Sequence, residues 1–215
     1  MLLTLCAGLS GCATAGYRKS DATARSLHHA SQEVQAESRA LNLTVQTLGE
    51  MVNKPGADLK PQFHRFDVAF NWLIKEVDRN EKADRQIERR SADYFKAWDN
   101  QISLMTYEAV RTKSQARKAE AMNDFQNVHQ RYVETQVVMQ PLLAYLEDIR
   151  KALSADLTQR GLEALKPVAA NANQNAEKVQ TALAKLASEL SATGTRLSSF
   201  AFQNAGPVTN SAGLK

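Results

Sequence analysis

Residues 63–98 read FHRFDVAFNWLIKEVDRNEKADRQIERRSADYFKAW. Within them Phe63, Phe66, Phe70, Leu73, Val77, Asn80, Asp84, Ile87, Ser91, Tyr94 and Trp98 follow one another at alternating steps of three and four. A helix turns once every 3.6 residues, so such steps hold every member on one face. Sustained over this length, the face is a heptad seam that must bury against a neighbouring helix. A strand would instead alternate at every second residue. The intervening positions are dense in charge from Lys75 to Arg90. Asp78/Lys82 and Glu81/Arg85 attract one turn apart and Arg85/Arg89 repel, the mixture expected of a solvated face. The polar seam members Asn80, Asp84 and Ser91 read as register-setting groups.

The same spacing recurs on both sides of this stretch. A first helix is expected from about 21 to 52, with Leu27, Ala30, Val34, Glu37, Leu41, Thr44, Leu48 and Met51 on its seam. Ser20 or Asp21 is placed to cap it, and Asn53-Lys54-Pro55-Gly56 ends it. The second runs from about 61 to 104. The third, from about 108 to 153, carries Val110, Ser114, Arg117, Ala121, Phe125, Val128, Tyr132, Thr135, Met139, Leu142, Leu146, Ile149 and Leu153. Pro141 lies inside it and predicts a kink. The fourth, from about 158 to 200, carries Leu162, Leu165, Val168, Ala172, Ala176, Val179, Leu183, Leu186, Leu190 and Leu197, with Pro167 expected to bend it or to start a fresh helix. Short connections make neighbours antiparallel. The expected fold is therefore all-α: long antiparallel coiled-coil helices forming an extended hairpin or four-helix bundle over residues 21–200. In the hairpin of the second and third helices, Tyr94 and Trp98 should face Ser114 and Arg117.

Composition agrees. Only four Gly and four Pro fall between Tyr17 and Phe202, so turns are few. The formal charge of +4 comes from interleaved acids and bases. Nucleic-acid binding would need a one-signed patch or stripe, so that class is set aside.

The N-terminus carries a different message. Leu9-Ser10-Gly11-Cys12 follows a short apolar run and forms a lipobox, the cleavage and acylation site of bacterial lipoproteins. Residues 1–11 read as the signal peptide, Cys12 as the lipidated first residue, 12–20 as a linker, and 201–215 as a disordered Gly/Pro/Ser/Asn-rich tail. No Lys or Arg precedes the apolar run, so the usual basic region is expected upstream of Met1. The run is too short to span a bilayer, which takes about 20 apolar residues, so the mature chain is expected to be anchored through its acyl chains. Ala13 and Thr14 stand where an Asp would retain a lipoprotein at the inner membrane, which directs this one to the periplasmic face of the outer membrane. With Cys6 removed and Cys12 acylated, no disulfide can form.

The chain resembles the bacterial family catalogued as domain of unknown function 2959, helical envelope proteins that often carry a lipobox. The resemblance rests on Tyr94-Phe95-Lys96-Ala97-Trp98 before the hairpin turn, the basic start of the third helix, Met139-Gln140-Pro141-Leu142-Leu143, and Leu153-Ser154-Ala155-Asp156-Leu157-Thr158. It covers about residues 20–198. It implies a helical architecture and an envelope location and supplies no chemistry.

The residues themselves offer little chemistry either. His28 and His29 are adjacent and point about 100° apart on a helix, so they cannot chelate one ion from one face. His64 and His129 stand alone in the sequence. There is no Gly-rich phosphate loop. Asp84 on the apolar seam could have a raised pKa, but register setting is the simpler role. The expectation is a protein that is not an enzyme, with no catalytic residue, cofactor or metal. It would scaffold or space envelope components, with Trp72, Tyr94 and Trp98 as candidate partner contacts and self-association open. The alternatives are a peptidoglycan tether through Lys215 and a membrane-remodelling bundle.

Overall fold

A computed structural model describes residues 15–199, which form four helices and no strand: α1 (Ala15–Asn53), α2 (Lys60–Ser103), α3 (Glu108–Ala155) and α4 (Gln159–Leu197). They run up, down, up, down. In cross-section α1 packs against α2 and α4, and α3 against α4 and α2, with no close approach across either diagonal. The α2/α3 seam is the loosest of the four. At 1.5 Å per residue the helices are roughly 60–70 Å long.

The seams form the core. Every expected α1 seam member is buried, including polar Glu37 and Thr44. On α4 the run from Ala172 to Leu190 is buried throughout, while Leu165 and Val168 are half-buried. Each fully buried Leu contributes about 1.5–3 kcal/mol. Small residues bring α1 and α4 together: Ala24 and Ala30 on one helix, Ala176 and Gly194 on the other. Ser31 Oγ donates to the Ala187 carbonyl across this seam (2.9 Å). At Gly194 a Cβ would stand 2.9 Å from His28 Nε2 and 3.1 Å from the Ala24 carbonyl oxygen, so glycine sets the closest approach.

The turns follow from local chemistry. Between α1 and α2, Gln62 folds back to accept from the Gly56 N–H (2.7 Å) and to donate to the Lys54 carbonyl (2.9 Å). Thr158 caps α4 by accepting from the Gly161 N–H (3.1 Å). A Cβ at Gly161 would lie 2.4 Å from the Asp156 carbonyl oxygen, so the tight α3–α4 turn needs glycine there.

Four expectations are corrected. Helix α1 begins at Ala15, so residues 15–20 belong to the bundle and not to a linker. Ser20 and Asp21 do not cap α1. Ser20 donates to the Leu197 carbonyl, and Asp21 accepts from the N–H and hydroxyl of Ser199 (both 2.8 Å), so they fasten the end of α4. Pro167 lies inside α4 and starts no fresh helix, and α3 likewise runs on through Pro141. Pro141 frees the carbonyl of Val137, one turn back, and Val137 is exposed, which lets water take the missing bond. Val110 and Arg117 are exposed rather than seam-facing. Lys19 Nζ donates to the Asp93 carbonyl (3.4 Å), marking the level at which α1 lies along α2. Helix α1 starts four residues before that level and α2 continues ten past it. The α2–α3 tip thus reaches about 9 Å beyond the start of α1, and among the described residues α1 does not cover it.

Candidate functional site

Polar groups concentrate in one layer at mid-height. Glu37 on α1 is buried and accepts from Asn80 Nδ2 on α2 (2.7 Å). The neighbouring Glu76, also buried, accepts from Trp72 Nε1 (2.8 Å) and from Arg79 Nη1 (2.8 and 2.9 Å). Arg79 also lies 3.7 Å from Glu33. That cation is therefore committed to Glu33 and Glu76, and none is paired with Glu37 among the described residues. Desolvation, aggravated by Glu81 and Glu76 and only partly opposed by the Asn80 bond, raises the Glu37 pKa to about 7. Asn80 Oδ1 and the Tyr132 hydroxyl are buried without a hydrogen-bond partner. Both line a void of about 20 Å³ beside Glu37.

A separate groove of about 510 Å³ lies along the loose α2/α3 seam. Ile87, Phe95, Phe125 and Val128 form its apolar wall, with Phe95 and Phe125 in edge contact at 5.4 Å between centroids. On the polar side, Asp84 and Glu88 stand one turn apart on α2, and His129 approaches from α3. His129 Nδ1 lies 3.5 Å from Glu88 Oε1. One ligand atom from each of the three lies within 4.8 Å of the others. Burial, then the charge of Glu88, raises the Asp84 pKa to about 6, against the opposing pull of His129 and Arg85.

The sequence reads His129 as isolated, and the fold corrects that. The signal was available in the hairpin register. Trp98 Nε1 donates to Ser114 Oγ (2.9 Å), as the antiparallel pairing predicts. Continued down the hairpin, the same pairing brings His129 opposite position 83, next to Asp84 and under two turns from Glu88.

The other candidate residues separate. Tyr94 is buried and Trp98 half-buried, in tilted contact at 5.4 Å between ring centroids. Their place inside the α2/α3 hairpin, beneath its tip, turns them inward. Trp72 remains 36% exposed, with its indole N–H held by Glu76. Cys12 and Lys215 lie outside the described residues.

No curated protein and no solved structure matches the chain. A family profile does, over residues 10–197, which spans all four helices. The chain belongs to the family described as protein of unknown function (DUF2959).

Proposed function

We propose that this is a lipid-anchored, non-enzymatic protein of the bacterial envelope, held at the periplasmic face of the outer membrane, whose bundle spaces or scaffolds other envelope components. The carrying observation is the start of α1 at Ala15, three residues after the lipobox cysteine. Three residues reach at most about 11 Å. An acylated Cys12 would therefore hold the bundle against the bilayer rather than on a long leash. Among the described residues no helix is long and apolar enough to cross a membrane, which is compatible with attachment by lipid. The test is Cys12→Ser with fractionation of the envelope and chemical crosslinking. The variant should leave the membrane fraction and lose its crosslinked neighbours. Retention of the variant in the membrane would overturn the anchor, and absence of crosslinked protein in the wild type would overturn the scaffold.

A second reading, membrane contact by the bundle itself, is favoured by the overhanging tip. Leu104, Tyr107 and Val110 are 70%, 78% and 56% exposed there. Residues 96–118 carry Lys96, Arg111, Lys113, Arg117 and Lys118 against Asp99 and Glu108. Apolar residues ringed by cations suit an anionic lipid surface. The tip lies at the same end of the bundle as the start of α1, where an acylated Cys12 would place the bilayer.

A further inference from the structure

We infer that Asp84, Glu88 and His129 form a binding site for a divalent transition-metal ion that clasps α2 to α3. Helical bundles build metal sites from carboxylates and imidazoles projecting from facing helices, and these three side chains are such donors. It gives three protein ligands and leaves coordination positions open to water. The nitrogen donor favours zinc, nickel, cobalt or copper over calcium or magnesium, which take oxygen ligands. With metal–ligand bonds of about 2.0–2.2 Å, donors sharing an ion lie within roughly 4 Å of one another. The donors here are within 4.8 Å, and the side chains of Glu88 and His129 are more than half exposed, so closure needs only their rotation.

A second observation sits beside the site. The Tyr132 hydroxyl, in a residue 3% exposed, has no hydrogen-bond partner and lies within the electrostatic reach of Asp84. Tyr132 follows His129 by three residues, hence on the same face of α3. The site also lies where the fold is weakest, along the α2/α3 seam, where a crosslink adds most.

The test uses the untagged full-length protein in detergent. Thermal unfolding is followed with and without Zn²⁺, and Co²⁺ binding is read from its visible ligand-field absorption. The expected result is a higher unfolding temperature with Zn²⁺ and a Co²⁺ spectrum that saturates. His129→Ala should weaken binding at least tenfold and Glu88→Gln should weaken it too. Metal-free melting of both variants should match wild type, because both side chains are largely exposed. Absence of any Zn²⁺ or Co²⁺ response would overturn the site. So would binding that both variants retain at wild-type strength, which would reduce Glu88–His129 to a surface ion pair.

Discussion

Glu37→Gln should stabilise the protein at pH 8 and leave it nearly unchanged at pH 5. The buried Glu37 carboxyl titrates near 7, above its ordinary value of 4.5, because burial penalises the ion and no cation is paired with it. A carboxyl whose folded pKa is raised binds its proton more tightly folded than unfolded. Its contribution is complete below the unfolded pKa and is lost as pH rises through the folded one, so stability falls between about 4.5 and 7. Each pKa unit is worth 1.36 kcal/mol. The loss from pH 5 to pH 8 is then about 2–3 kcal/mol, or roughly 5–10 °C in Tm for a chain of this size. Glutamine keeps an oxygen to accept from Asn80 and adds N–H groups that the carboxylate lacks, next to the unpartnered Asn80 Oδ1. Asp84, titrating near 6, pushes stability in the same direction. His28, whose pKa is lowered by burial, pushes the other way and costs stability as pH falls below its ordinary 6.5. Both persist in the variant, so the difference between variant and wild type isolates Glu37. The assay is urea unfolding by circular dichroism at pH 5, 6, 7 and 8. Equal pH slopes for the two proteins would refute the argument.

Gly194→Val should cost about 1–3 kcal/mol by overpacking, since its side chain would meet His28 and the Ala24 carbonyl; thermal melting measures it. Replacing Leu104 and Tyr107 together by Ser should leave Tm almost unchanged, because both are exposed at the tip. The same double variant should bind anionic vesicles more weakly than wild type in a flotation assay, both proteins carrying Cys12→Ser so that lipid does not mask the tip.

The fold was legible because its information is local. Steps of three and four gave the four helices, and the connections near Pro55-Gly56, Met105 and Leu157 gave antiparallel neighbours. The α1 seam from Leu27 to Met51 is buried as its spacing predicts. Where the reading failed, a partner in space decided the outcome. Arg117 and Val110 keep the seam spacing, yet α4, the helix facing that part of α3, ends at Leu197, level with Arg117, whose guanidinium reaches the Arg196 carbonyl (3.4 Å). Asp21 looks like a helix start, but the free end of α4 claims its carboxylate. The Asp84–Glu88–His129 group joins two helices, so no window within one helix could reveal it. The antiparallel register that sets Trp98 against Ser114, carried down the hairpin, leads to it. Glu37 and Asn80 were legible as polar seam members, but the missing cation was not, because Arg79 spends its charge on neighbours that only the packing identifies.

The contact of α1 with α4 makes the bundle a closed ring of helices. Asp21 holding Ser199 brings the two ends of the described chain together. In packing terms the covalent break between them is then one gap among four, equivalent to the three turns. A chain reordered to start at Lys60, with α1 joined behind α4, would keep every interhelical contact. Its first residue would lie at the opposite end of the bundle. The same body carrying a lipobox there would hang inverted, with the Leu104–Tyr107 tip pointing away from the bilayer. If the proposed anchor holds, the gap that carries it sets the orientation, while the core is indifferent to it.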